Sequence, residues 1–454
     1  MTTDPATTSA RPAQDDLSFP VAHPRPDLGW LNDPNGVCRV GDTWHVFFQY
    51  NPDSARHENV HWGHLSSSDL VTWTQEPIAL APTPGAPDSA GCWSGVMAFD
   101  EDAAPVAVYS GVERHDHSSS VTLVRGSEDL RQWGPERHVA AGMPDDERVI
   151  AVRDPFVFRH SGRRWAIQGA GLADGQAAIL LYDAEDLWNW SYRGVLLSSG
   201  QQGVPEDAQA SIWECPQLVQ IGPEGTWVLL VCLWNRMPED HPSEAQLEGT
   251  RALLVDLSAA DGTADASLNI AVGGSTAVDH GDSLYAPQVV ALEEGPVLIG
   301  WAREGRAQEV SDSLGWSGLL TWPRDLSLRG GELVSRPRPE CAGWREGEPQ
   351  RHESGTEAPV GAESDIVIGE SPSADELTED EVELVLRHSD GSDELVYSGP
   401  AHRIVIDRSI LEVYPLTEAS TTLRHYPADD ARWVLRTETA PLTWWRLGRT
   451  KHAR

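Results

Sequence analysis

The sequence is almost without lysine: Lys451, close to the C-terminus, is the only one among 454 residues. A Schiff-base enzyme, a P-loop NTPase and a protein kinase each need a placed lysine, which argues against those chemistries. Positive charge of any kind is scarce, with 34 Lys+Arg against 70 Asp+Glu and a formal net charge of −36. That excess repels phosphate backbones and anionic headgroups, which argues against nucleic-acid and membrane partners. No apolar run approaches the ~18 residues that a membrane span needs, so a soluble protein is expected. Cysteine is sparse as well. Cys38, Cys92, Cys215, Cys232 and Cys341 are odd in number, far apart and without a CxxC pair. Neither a disulfide framework nor a zinc site is signalled. The first sixteen residues lack the basic and apolar regions of a secretion signal, and residues 1–19 read as a disordered leader. Unpaired thiols and a missing signal together point to the cytoplasm. Phe (6) and Tyr (8) are few, whereas Trp reaches 19. Indoles fill β cores and also stack on the C–H faces of sugars.

What the chain does have is an internal repeat. Short markers that run into strand-like segments recur at Asn32-Asp33-Pro34, Trp93-Ser94-Gly95, Arg153-Asp154-Pro155, Glu214-Cys215-Pro216 and Tyr285-Ala286-Pro287. Counted from Asp33, Ser94, Asp154, Cys215 and Ala286, the steps are 61, 60, 61 and 71 residues. A second pattern, Asp-Leu-x-x-Trp, keeps a similar period at 69–73, 129–133 and 186–190. Between the markers lie apolar runs such as Trp44–Phe48, Val106–Tyr109 and Trp227–Val231, broken by Gly, Asp and Pro. Several short strands per ~60-residue unit suit a propeller blade better than a βαβ unit.

The expected architecture is therefore all-β: a five-bladed β-propeller over residues 20–338, followed by a small C-terminal β-sandwich. The Glu-, Gly-, Pro- and Ser-rich stretch 339–381 reads as linker and exposed loop. Residues 382–454, with alternating runs at 382–386, 403–407 and 410–414, read as the remainder of the sandwich.

First strands line the funnel of a propeller, so markers in phase should converge there. Three of them carry carboxylates: Asp33, Asp154 and Glu214. Crowded, buried carboxylates with pKa values driven apart are the equipment of glycoside cleavage, one to attack and one to give a proton to the leaving oxygen. Calcium is the other use of such a cluster, but no Asp-x-Asp loop is present, and no metal is expected.

The motifs resemble glycoside hydrolase family 32, the β-fructofuranosidases: invertases, inulinases, levanases and sucrose-6-phosphate hydrolases. The resemblance runs in order through Trp30–Gly36, Phe47–Pro52, Trp62-Gly63-His64, Trp93-Ser94-Gly95, Arg153-Asp154-Pro155 and Glu214–Gln217. It continues through Tyr285–Gln288, Gly300-Trp301, Gly315–Leu328 and the C-terminal Ile406–Tyr414. It implies Asp33 as nucleophile, Glu214 as general acid and base, and Asp154 as the residue that holds fructose hydroxyls and stabilises the transition state. The family retains configuration, so the Asp33 and Glu214 carboxyls are expected about 5–5.5 Å apart. Asn32, Gln49, Ser94 and Arg153 fall where the family contacts the fructose ring, and Trp62, Trp93 and Trp301 where it builds the pocket. His57 stands where many members carry a tryptophan. No cofactor is implied, and the partner is a small sugar, sucrose or a short fructo-oligosaccharide. Other readings are a fructosyltransferase, a non-catalytic sugar-binding propeller, and an inverting enzyme acting on arabinans or xylans.

Overall fold

The computed structural model describes residues 16–115, 117–222, 225–236, 245–260, 266–355, 357–369, 377–428, 430–449 and 451–452. The described residues are all-β apart from single short helical turns. Most of the leader expected at 1–19 lies outside the described residues. Its last four residues are packed: Trp316 Nε1 donates to Asp16 at 2.8 Å, and the Phe19 ring meets Trp316 edge-on at 5.2 Å.

Five sheets follow one another, their successive strands antiparallel, each opened by a strand that carries one marker: Gly29–Val40, Gly91–Phe99, Val149–His160, Ile212–Ile221 and Leu284–Leu292. Each sheet is built on four successive strands; the first gains two more, Trp316–Ser317 beside Gly29–Val40 and Lys451–His452 beside Thr72–Gln75, and the fifth inserts a helical turn, Gln308–Leu314, and the two-residue strand Leu319–Leu320 before its third. The first strand of every sheet lies against the first strand of the next, and Leu284–Leu292 lies back against Gly29–Val40. Second strands such as Pro105–Val112 are buried along their whole length, because a sheet covered on both faces tolerates a continuous apolar run. Six of the tryptophans, Trp62, Trp73, Trp213, Trp316, Trp322 and Trp344, are fully buried. The Asp-Leu-x-x-Trp pattern is a turn entering or following an outer strand: Asp69 Oδ1 accepts from Val71 and Thr72 N–H, and the Trp73 and Trp190 indoles donate to Leu70 and Leu187 carbonyls.

The stretch expected as a linker is not one. It forms three strands, Arg345–His352, Glu357–Val360 and Glu363–Ile368, which pair with strands far along the chain. They complete two C-terminal sheets, of six and four strands, that share one core including Ala358, Ile366, Leu384, Ile404, Leu411, Trp433 and Trp444. All five cysteines are unpaired and buried. No helix among the described residues is long and apolar enough to cross a membrane.

Candidate active site

The marker segments are distortions of regular strands. In all five sheets the register slips at the marker, so that three steps along the first strand match two along the second: Leu31 to Pro34, Cys92 to Gly95, Arg153 to Phe156, Glu214 to Gln217 and Tyr285 to Gln288. A bulge bends a strand and re-aims its side chains. Asp154, Cys215 and Ala286 have φ of 57°, 46° and 44°, although each precedes a proline. Left-handed backbone at a non-glycine residue costs on the order of 1–3 kcal/mol and persists only where the surroundings enforce it. The repeat thus encodes the same local strain in successive sheets.

The bulges bring the acids together. Asp33 is 9% exposed; Ser94 Oγ donates to its Oδ2 at 2.5 Å and Gln49 Nε2 donates to the same oxygen at 3.0 Å. Gln49 also donates to Ser94 Oγ, and Asn32 Oδ1 accepts from the Asp33 N–H. Asp154 Oδ2 accepts from the Cys215 N–H at 2.9 Å, and the Asp154 N–H donates to Ser110 Oγ at 2.7 Å. Cys215 Sγ lies 3.5 Å from a carboxylate oxygen of both Asp33 and Asp154, so residues 121 positions apart share one neighbour. Next to it, Glu214 accepts from Arg153 Nη1 at 2.8 Å on one oxygen and from the Tyr285 hydroxyl at 2.9 Å on the other.

The cluster holds three acids and one guanidinium, that of Arg153, which pairs with Glu214. Burial pushes Asp33 up to about 8; Ser94 pulls it down, and the Asp154 and Glu214 charges push it up again. Burial and the Glu214 charge raise Asp154 to about 6, against the pull of Arg153. Burial, with added repulsion from the site's charges, likewise keeps the Tyr285 phenol protonated and a donor. The cluster therefore favours keeping protons on Asp33 and Asp154 that isolated carboxyls would release.

Aromatic rings wall the site. Arg153 lies between the Trp93 and Trp234 rings, 5.7 and 5.8 Å from their centroids, and its Nη2 meets His117 Nδ1 at 3.0 Å. His57 sits 4.7 Å from the Trp30 ring and 5.9 Å from Trp93, open to solvent on its free side. Crowding by protein, with His115 nearby, holds its pKa below the ordinary imidazole value. Trp301 meets the Tyr285 ring edge-on at 6.2 Å.

Asp33, Asp154, Glu214, Asn32, Gln49, Ser94 and Arg153 are thus brought into one hydrogen-bonded cluster, with Trp93, His57 and Trp301 around it. Trp62 is not. Its ring is fully buried in a side core with Phe47, Leu80 and Tyr109, and its Nε1 donates to the Trp93 carbonyl at 3.0 Å. It supports the Trp93 strand from behind. Tyr285, Ser110, Cys215, Trp30 and His117 belong to the site and were missed as site residues. Tyr285 had a signal, since it occupies the marker position of the fifth repeat. Among the described residues no group of three or more His, Cys, Asp or Glu is arranged to hold a metal.

The chain is similar to known proteins. The family model for the glycosyl hydrolases family 32 N-terminal domain matches residues 23–337. A sucrose-6-phosphate hydrolase of Escherichia coli is 28% identical over 416 residues, covering 91% of this chain and 80% of that protein. One from Klebsiella pneumoniae is 31% identical over 345 residues, 72% of this chain and 70% of that protein. Among solved structures, the Bombyx mori family 32 β-fructofuranosidase superposes with a TM-score of 0.75 at 22% identity, covering 97% of this chain and 96% of the other. The Lactobacillus gasseri sucrose-6-phosphate hydrolase gives 0.77 at 18% identity, with 96% and 95% covered. With the matched domain spanning all three acids and their strained strands, the chain belongs to glycosyl hydrolase family 32.

Proposed function

We propose that the protein is a retaining β-fructofuranosidase that releases terminal β-D-fructofuranosyl units from sucrose or short fructo-oligosaccharides. Its five marker-bearing sheets are the blades of a five-bladed β-propeller over residues 20–338, and the two C-terminal sheets form a β-sandwich. The observation that carries the reading is the shared environment of the acids: Cys215 Sγ touches both Asp33 and Asp154, while the adjoining Glu214 is held by Arg153 and Tyr285.

Asp33, once ionised, attacks the anomeric carbon. The donors Ser94 and Gln49 on one carboxylate oxygen favour that ionised form and leave the other oxygen available. Glu214 gives its proton to the glycosidic oxygen as that bond breaks, and the sugar leaves as an alcohol. Arg153 and Tyr285 then steady the Glu214 carboxylate. Water next gives a proton to Glu214 while its oxygen attacks the anomeric carbon, and Asp33 departs as a carboxylate. Asp154, ionised, stabilises the positive charge that develops on the fructosyl ring in both steps. Unpaired buried thiols favour a cytoplasmic setting, hence small imported substrates.

A second reading, phosphorylated sucrose, is favoured by Arg303, Arg306 and Arg424 around the cavity beside Trp30 and Trp301, and by the names of the curated relatives. A panel of sucrose, sucrose 6-phosphate, kestose, levanbiose, inulin and levan separates the two. The first reading expects free fructose from sucrose and kestose with retained configuration; selective cleavage of the phosphorylated sugar favours the second. An inverted first product, longer oligosaccharides at high sucrose, or no cleavage would replace the hydrolase reading.

A further inference from the structure

Arg25 is a buried arginine that no carboxylate among the described residues pairs with. It is 3% exposed, and its guanidinium donates only to main-chain carbonyls: Pro26 at 2.8 Å, Gly29 at 3.0 Å, Ser317 at 3.1 Å and Gly318 at 2.5 Å. The Trp316 and Phe19 rings lie 4.7 and 5.5 Å from it. Burying a charge without a counter-ion is costly, and the fork of donors is what offsets it.

Three of the carbonyls it collects border one cavity: Ser317 lines it, Gly29 precedes the lining residue Trp30, and Gly318 follows Ser317. Gly29 opens the strand whose next residue is Trp30, and it pairs in parallel with Trp316 while Trp30 pairs with Ser317. Gly318 lies against Trp301 and Leu31. A Cβ added there would stand 1.9 Å from the Leu31 carbonyl oxygen and 2.9 Å from Trp301 Nε1, and φ is 76°, so only glycine fits. Trp30 and Trp301 both line a cavity of about 590 Å³ that also includes Arg303, Gln308 and Leu247. Arg303 lies over the Tyr285 ring at 5.8 Å, and Tyr285 is the hydroxyl bound to Glu214. The cavity is therefore on the side of the general acid, where the departing sugar must be.

We propose that Arg25 is a positioning residue: by tying the start of the Gly29–Val40 strand to Ser317 and Gly318, it fixes the gap between Trp30 and Trp301 and with it which leaving groups the cavity accepts. The inference rests on the fructosidase reading above. Arg25 touches neither the acids nor the sugar. It acts through two tryptophans, so its loss is felt in proportion to how much of the leaving group they contact.

The test compares Arg25→Lys with wild type on methyl β-D-fructofuranoside, sucrose and kestose. Lysine keeps the charge but cannot hold carbonyls on both walls at once. The expected result is a rise of about 10-fold or more in KM for sucrose and kestose, since misplacement by about 1 Å costs that much or more, with methyl fructoside affected far less. Phe19→Leu, which removes one ring from the guanidinium, gives a smaller change in the same direction and carries the test if Arg25→Lys does not fold. Equal losses on all three substrates in either variant, or a lower melting temperature with unchanged ratios, would overturn the proposal. A wild-type protein inert on every fructoside would instead show, before any variant is made, that the parent reading is wrong.

Discussion

Two of the buried charge clusters among the described residues, both assembled from residues far apart in sequence, are satisfied to very different degrees. At the junction of the N-terminal sheets and the C-terminal domain, Arg324 donates to Asp279 at 3.0 Å and to Glu412 at 2.6 Å. Asp279 also accepts from Ser420 and Thr422, and Glu412 from Tyr414. Asp407 accepts from the Val21 and Ala22 N–H groups and from His23. There two cations and many donors meet three carboxylates. Despite burial, Arg324 and His23 hold Glu412 down at about 2, and Asp407 with Glu412 lifts His23 to about 9. At the acid cluster around Cys215, one arginine pairs with one of three carboxylates, Glu214, and the other two are pushed up. A compensated cluster fastens the fold; an under-compensated one stores the protonation states that chemistry uses, at a cost in stability.

The sharpest way to break the contrast is Asp33→Asn. Activity on sucrose should fall at least about 10³-fold, as for loss of a nucleophile. Stability should move the other way. A carboxyl whose folded pKa lies above its unfolded value costs the fold stability as pH rises from about 4 towards 8. The variant should therefore melt higher than wild type at pH 7.5 and no higher at pH 4, checked by calorimetry. Arg324→Met makes the opposite cut: it leaves Asp279 and Glu412 uncompensated and should cost about 3–5 kcal/mol in denaturant titrations.

His23→Gln sharpens the same comparison along the pH axis. His23 is raised from 6.5 to about 9, so its charged pairing stabilises the fold fully below pH 6.5 and is lost as pH climbs through about 9. Wild type should lose its melting-temperature advantage over His23→Gln across that window; a constant difference from pH 6 to 10 would mean the pairing is not ionic. The smallest expected effect is Ser94→Ala. Removing the donor that favours ionised Asp33 should shift the acid limb of kcat/KM upward by about one pH unit, with the alkaline limb less affected.

Much of the site was legible because the repeat places one marker in each sheet, and the bulge occurs where the marker occurs. Strands expected from alternation, such as Arg403–Asp407 and Ile410–Tyr414, are strands. Arg345–His352 was not legible: its sequence, REGEPQRH, has no alternation, and it exists as an edge strand because Leu442–Leu447 pairs with it from about a hundred residues away. Strand preference of that kind is a property of the partner and not of the segment. Trp62 and Trp93 show the same limit. Both fall in tryptophan-glycine or tryptophan-serine motifs, but the ring of one points into a side core and the other into the site.

The amino-acid order by itself determined the family, the acids and their phase, because a bulge before a proline and an in-phase carboxylate are local features that survive without neighbours. Tertiary structure alone decided which tryptophan lies beside the acids' arginine, that Tyr285 holds Glu214, and that Arg25 spans two segments nearly three hundred residues apart. Those outcomes depend on which surfaces close against each other, and that is settled only when burial leaves each polar group a single place to find its partner.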